Sequence, residues 1–371
     1  VPRLDVDAIL ADREIRIIVC CGAGGVGKTT TAAALGVRAA EEHGRRTVVL
    51  TIDPARRLAQ SLGLTELDNT PRPVKGVAEP ADLHAMMLDM KRTFDEVVLA
   101  HTDPKRAEEI FGNPFYQAMS STFSGTQEYM AMEKLGQLRS RDEWDLIVVD
   151  TPPSRSALDF LDAPARLGRF LDGRMLRLLV APARAGGRSV FNLVSASFGL
   201  FSRAVNKILG PQLLTDLSGF VAALDSMFGG FRERAEQTYR ILQARETAFL
   251  VVAAPEPDAI REAAYFAGRL AADRMPLAGL VLNRVSAVEA TGLSAEDARA
   301  GAARLDTMDD AVTAGALRVH ADLVDLTDRQ AAVAATFRQE YPSVPVAEIA
   351  AQPADIHDVD GLRAIGMALA D

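Results

Sequence analysis

Short apolar runs punctuate the chain at Ile15–Cys21, Thr47–Ile52, His84–Leu88, Leu146–Val149, Ala248–Ala254, Leu280–Val285 and Val344–Ile349. Each has the length of a strand, and none alternates cleanly between apolar and polar positions. That is the pattern of strands buried on both faces of a mostly parallel sheet. Between them lie segments of helical period: Thr29–Glu42 is alanine-rich with Gly44 just past its end, and Asp258–Ala272 is similar. The alternation predicts an α/β fold, a doubly wound, mostly parallel sheet with helices on both faces.

Two regions break the alternation, Lys91–Asp142 and Ser156–Arg245. Both carry Met and Phe at helical spacing, interrupted by Gly112, Gly125, Gly186, Gly187, Gly210 and Gly229. They read as a helical subdomain of residues 91–142 and 156–245, inserted into a sheet core made of residues 1–90, 143–155 and 246–371. The stretch from Phe160 to Gly210 carries eight Arg or Lys against two Asp, together with a greasy set that runs from Phe191 to Leu209.

Composition adds exclusions. With 48% hydrophobic and 25% charged residues among 371, the chain has material for a packed core. A net charge of −9 argues against a surface built to neutralise nucleic acid, so no nucleic acid partner is expected. Cys20 and Cys21 are adjacent on a predicted strand and so point to opposite faces, which disfavours a bond between them. They read as buried thiols of a reducing compartment. No apolar run reaches the length of a membrane span and no signal-peptide order opens the chain, so the expected location is the cytoplasm.

The chemistry begins at Gly22-Ala23-Gly24-Gly25-Val26-Gly27-Lys28-Thr29, which satisfies G-x-x-x-x-G-K-[ST] between a predicted strand and a predicted helix. Glycines let the backbone wrap phosphates with its N–H groups inward, and the helix N-terminus adds positive potential. Lys28 neutralises β and γ oxygens, and the Thr29 hydroxyl ligates Mg²⁺. The expected substrate is ATP with Mg²⁺, bound on the loop from Gly22 to Thr30. Asp150 closes the run Leu146–Val149 and is placed to hold Mg²⁺ through water, although an Asp at a strand end also serves as a turn or cap. Asp53 sits at the carboxyl edge of the sheet, where open α/β folds bind ligands. It is equally placed to cap a helix starting near Pro54, and the two roles are compatible.

These residues resemble the arsenical-pump and tail-anchored-protein-targeting ATPases, a branch of the deviant Walker A class of dimeric P-loop proteins. The resemblance rests on the loop, Thr51-Ile52-Asp53-Pro54-Ala55, Gly125–Glu133, Asp150-Thr151-Pro152-Pro153, Ala254-Pro255-Glu256, Leu282-Asn283-Arg284 and Pro353–Leu362. It implies that Asp53 positions the attacking water and, with Asp150, reaches Mg²⁺ through water. It further implies that Asp150–Pro153 form a second switch, and that Asn283 and the segment holding Pro353 and Ile356 face adenine. Read without the resemblance, Asn283 is also a plausible strand-end cap. Three departures stand out. Ala23 occupies the place of a signature lysine that reaches the other protomer's nucleotide. The paired-cysteine zinc motif is missing, so no zinc is expected. Ser154-Arg155-Ser156 stands where a Gly-His pair is usual.

The resemblance implies a machine in which closure of a dimer couples ATP hydrolysis to an apolar surface on the helical lobe. The dimer is either a homodimer or a heterodimer with a lysine-bearing sister, and the occupant of the lobe a hydrophobic client polypeptide. Met86, Met87, Met90, Met119, Met130, Met132 and the 191–201 segment are the candidate client contacts, although Met at helical spacing usually fills an interior. An arsenite pump motor is the first alternative, and it needs soft thiolates that the helical regions lack. A partitioning-type nucleotide switch is the second, kept open by the basic stretch from Arg166 to Lys207.

Overall fold

The computed structural model describes residues 2–53, 57–64, 66–114, 116–117, 120, 126–152 and 233–370. Pro54, Gly125, Met119, Pro153, Arg155 and the whole Arg166–Lys207 and 191–201 segments therefore lie outside the described residues. The chain divides into two compact units, one of Val1–Met87, Arg141–Leu158 and Ile241–Asp371, the other of Leu88–Ser140 and Asp159–Arg240.

The first unit is the sheet. Its strands are β1 (Ile17–Gly22), β2 (Thr47–Thr51), β3 (Arg72–Pro73), β4 (Leu83–Met87), β5 (Leu146–Asp150), β6 (Thr247–Ala253), β7 (Leu277–Val285) and β8 (Val346–Ala350). They lie in the order β3-β4-β2-β5-β1-β6-β7-β8, and every pairing is parallel except the antiparallel β3 edge. β1, β2, β5 and β6 are buried along their whole length. That explains why their sequences run apolar without alternation.

The helices of this unit are α1 (Val6–Ala11), α2 (Lys28–Glu41) and α3 (Arg57–Ser61), followed after the second unit by α7 (Pro257–Ala272), α8 (Ala295–Asp306), α9 (Ala311–Glu340) and α10 (Val359–Ala370). Cys20 belongs to the cluster formed with α2 and α10, so its neighbour Cys21 faces the other side of the sheet. Both thiols are free and buried. Arg45 is wholly buried, and its guanidinium donates to the carbonyls of Leu10, Asp12, Ile15 and Asp145. One side chain thus ties the end of α1 and the approach to β1 to the start of β5, at the edge of the sheet remote from the phosphate loop.

Several boundaries differ from the sequence expectation. β1 starts two residues late, because Ile15 N–H is spent on Asp12 and the ladder opens with Arg16 and Ile17 bonding Glu246. β8 begins at Val346 because Pro345 has no N–H to give. The two-residue β3 and the helical pair α8 and α9 had no counterpart in the hydrophobic pattern. α9 buries Ala314, Ala321, Ala334 and Phe337, three of them small residues that leave little amphipathic contrast.

The described part of the second unit contains α4 (Met90–His101), α5 (Pro104–Phe111), α6 (Thr126–Arg141) and a helical stretch at 233–243 that continues into the first unit. Its interior holds a polar network: Glu133 accepts from Tyr129 Oη at 3.1 Å and from Arg234 Nε at 3.0 Å, and Lys134 Nζ reaches Glu96 at 3.0 Å. Met130 and Met132 are wholly buried there and fill the interior. Met86 is likewise buried on β4, and Met87 packs against the sheet core. Among the described residues no helix is long and apolar enough to cross a membrane.

Candidate functional site: a phosphate loop at the carboxyl edge of the sheet

β1 leads straight into the loop. Gly22 has φ +149°, and a Cβ there would stand 2.0 Å from the Val252 carbonyl oxygen on β6, so only glycine lets the strands stay paired at this point. Gly27 has φ +94° and serves as the N-cap of α2, with no side chain bonded to the helix end. Backbone donors and the helix dipole are left facing the loop, which is what an anion requires. Gly24 and Gly25 are exposed, Thr29 and Thr30 half-buried, and Ala23 and Val26 buried.

Lys28 is buried, and its Nζ donates to the Ala23 carbonyl at 2.7 Å, curling over the loop. Burial draws its ammonium below the ordinary lysine value, while the carboxylates of Asp150 and Asp53 pull the other way. Thr29 Oγ1 donates to Asp150 Oδ2 at 2.8 Å, and Thr51 Oγ1 donates to the same oxygen at 2.9 Å. Asp53 N–H in turn donates to Thr51 Oγ1 at 3.2 Å. Parallel pairing puts Cys20, Asp150 and Thr51 level across β1, β5 and β2, so the fold itself aligns these groups. Thr151 is fixed alongside, its Oγ1 donating to the Cys20 carbonyl at 2.9 Å.

Asp150 is wholly buried and its Oδ1 has no hydrogen-bond partner. Desolvation pushes its carboxyl up to about 6, against the two threonine hydroxyls and Lys28, which favour the charged form. A buried carboxylate oxygen with nothing to bond is costly, and a cation removes the cost. The donor set is carboxylate and hydroxyl oxygen, which suits a hard divalent ion, and the Thr29 oxygen keeps its lone pairs while its O–H donates to Asp150. The residues present therefore fit Mg²⁺.

Asn283, at the end of β7, donates from Nδ2 to the Val26 carbonyl at 2.8 Å and accepts from Arg284 N–H at 3.0 Å. Its visible work is to clasp the loop. Pro353 and Ile356 lie in the segment after β8, Pro353 exposed and Ile356 half-buried against Gly361. The structure thus brings together Lys28, Thr29, Thr51, Asp53, Asp150 and Asn283. Thr51 was not among the residues singled out from sequence. Its signal was available, since a hydroxyl at the carboxyl end of a strand, two residues before an acidic group, is poised to bond across the switch. The thiols take no part: burial drives Cys20 well above its ordinary value and Cys21 up to about 12, so neither is a thiolate.

The ATPase GET3 of Malassezia globosa is 28% identical over 165 residues, 44% of this chain and 46% of that protein. A putative arsenical pump-driving ATPase of Prosthecochloris vibrioformis is 31% identical over 157 residues, 41% of this chain and 36% of that protein. ATPase GET3B of Arabidopsis thaliana is 24% identical over 298 residues, 76% of this chain and 67% of that protein. The alignments with the first two span less than half the length of those relatives. The family model for anion-transporting ATPases matches residues 15–296, from just before β1 into α8, and the chain belongs to that ATPase family.

Proposed function

We propose that this chain is a Mg²⁺-dependent ATPase in which closure of a dimer over the loop couples hydrolysis to the helical lobe. The observation that carries the reading is the buried Asp150 carboxylate, bonded through one oxygen to Thr29 and Thr51 and left with the other unpartnered beside Lys28. Thr29 and Asp150 would hold Mg²⁺, which when bound neutralises phosphate charge. The loop amides and the N-terminus of α2 bind the phosphates, and Lys28 exchanges the Ala23 carbonyl for phosphate oxygen. Asp53 is buried, and its backbone is tied to the hydroxyl that also bonds Asp150. Its carboxylate orients the attacking water. Phosphoryl transfer has a loose transition state, so positioning the water contributes more than removing its proton early.

The names of some relatives point to an arsenical cargo. Against that stands the state of Cys20 and Cys21, buried in β1 and held as thiols, whereas a metalloid site needs thiolates. A hydrophobic client on the 191–201 segment is the occupant this reading favours. Purified chain with MgATP should turn over; Lys28→Ala should lose nucleotide binding, and Asp53→Asn should keep binding and lose turnover. Normal turnover by the Asp53→Asn protein would refute the assignment.

A further inference from the structure

Among the described residues, four other than glycine hold positive φ, and three of them follow helices. Asp142, Arg274 and Asp309 come within three residues of the ends of α6, α7 and α8, where a left-handed residue is the usual way to stop a helix. Arg284, at φ +61°, lies instead within β7. Leu282 faces Glu348 and Val285 faces Ala350, so β7 carries Asn283 and Arg284 where β8 carries only Ile349. The strand bulges at its carboxyl end, and the pairing resumes at once, with Ala351 N–H donating to the Val285 carbonyl. Glycine fills a left-handed position without strain, yet here a long cation occupies it. One amide fixes the turn: Asn283 Oδ1 accepts from Arg284 N–H at 3.0 Å, while Nδ2 of the same group donates to the Val26 carbonyl at 2.8 Å. The grip on the phosphate loop and the strained turn are two ends of one side chain.

The bulge has no packing to serve, since Arg284 is exposed and its guanidinium forms no ion pair among the described residues. A strained residue that the core does not use points to a ligand. The site around it has two sides. Thr51, Asp53 and Asp150 stand at the ends of β2 and β5, to one side of β1, where the metal and the terminal phosphates belong. β6 and β7 lie on the other side, and β7 reaches the loop at Val26 and Gly27. With its terminal phosphates at Lys28, Thr29 and Asp150, a nucleotide runs its nucleoside end toward β7. Phosphate charge is already met by Lys28, the loop amides and the N-terminus of α2, whereas the flat face of a base is left to a planar cation. We infer, on the reading that the loop binds MgATP, that Arg284 is a base-contacting residue, which the bulge turns over the carboxyl edge so that its guanidinium lies against the base of the nucleotide.

Calorimetric titration of the full chain with MgADP and with tripolyphosphate tests this. Arg284→Ala should weaken MgADP binding by about three- to tenfold, the worth of one cation–π contact, and leave tripolyphosphate binding unchanged. Arg284→Gly should lose as much MgADP affinity, yet unfold at the same or a higher urea concentration than the parent, because glycine relieves the left-handed strain. Equal losses for MgADP and tripolyphosphate would make Arg284 a phosphate contact and overturn the base assignment. So would unaltered MgADP affinity in both variants, or a lower urea midpoint for Arg284→Gly, which would give the side chain a structural purpose. A parent chain that binds neither ligand refutes the reading of the loop itself, and this inference with it, so the two failures are told apart.

Discussion

Asn283 and Gly27 are locked together across 256 residues of sequence: a Cβ on Gly27 would stand 2.1 Å from Asn283 Nδ2, the same atom that donates to the Val26 carbonyl. The loop is therefore shaped from β7 as well as from its own glycines. Asn283→Ala removes the donor and leaves a buried carbonyl without it, which should cost about 1–2 kcal/mol of stability. Nucleotide affinity should fall in parallel, because the loop amides lose their fixed aim. Gly27→Ala should do more damage, combining strain at positive φ with displacement of Asn283, about 1–3 kcal/mol. Chemical denaturation and nucleotide titration of the two variants check both. Equal stability of Asn283→Ala and the parent protein would mean that the clasp is idle.

Thr51 gives the second prediction. Its hydroxyl donates to Asp150 and accepts from Asp53 N–H, so it couples the two acidic groups through one atom. Thr51→Val keeps the shape and removes one charge-assisted hydrogen bond worth about 1.5 kcal/mol, so the Mg²⁺ requirement for turnover should rise by roughly tenfold. Nucleotide binding without metal should change little, since the Thr51 hydroxyl is engaged with Asp150 and Asp53 and not with the loop. Thr51→Ser restores the hydroxyl and should restore the parent's Mg²⁺ dependence. Turnover titrated with Mg²⁺ in the three proteins decides it.

How far these relationships were legible in the sequence depends on whether they are local. The G-x-x-x-x-G-K-[ST] loop, the acidic strand ends at Asp53 and Asp150 and the buried parallel strands all announce themselves within a few residues, because one short segment carries the whole signal. The Asn283 clasp does not, since it depends on which strand lies next to β6, and nothing near Leu282-Asn283-Arg284 encodes that neighbour. The resemblance assigned Asn283 to adenine, and its contact with Val26 emerged only from the fold. α9 was missed for a different reason. Its buried face is mostly alanine and its exposed face includes Val312, Val319 and Leu326, so the usual contrast between an apolar inside and a polar outside is blunted.

Asp7 supplies a pH dependence. It accepts from Arg38 Nε at 2.7 Å and Nη2 at 2.6 Å, and lies 2.9 Å from His43 Nε2, joining α1 to α2 and the residues just past it. The hydrogen bonds from Arg38 hold its carboxyl down to about 2, below the unfolded value of about 3.9. A folded value below the unfolded one means that the native state binds the proton less readily. The contribution is complete above the unfolded value and disappears as pH falls through the folded one. The pair is partly exposed, so its share is small, under about 1 kcal/mol. Asp7→Asn should lower the urea midpoint near neutrality, and the difference from the parent should shrink between about pH 4 and the acid limit of folding. A difference that grows on acidification would contradict this assignment.

The last prediction concerns Ala23. Its carbonyl is occupied by Lys28, and its side chain is a buried methyl where the resemblance expects a lysine that reaches the other protomer's nucleotide. A cation delivered to a transferring phosphoryl group is worth on the order of 10³ to 10⁵ in rate. A dimer with alanine on both sides should therefore hydrolyse ATP slowly, while binding it normally through Lys28 and the loop. The charge can come from a sister ATPase that retains the lysine and completes this chain's site, or from Arg155 in the second switch, since arginine serves this purpose in other P-loop proteins. The two sources separate on mixing. Adding a lysine-bearing sister should raise turnover, and replacing that sister's lysine with alanine should abolish the gain while leaving complex formation intact. If Arg155 is the source, Arg155→Ala should lower the rate of the chain alone and the sister should add little. A chain that turns over equally fast alone, with the sister and with Arg155→Ala needs neither cation, and the proposed role of position 23 fails.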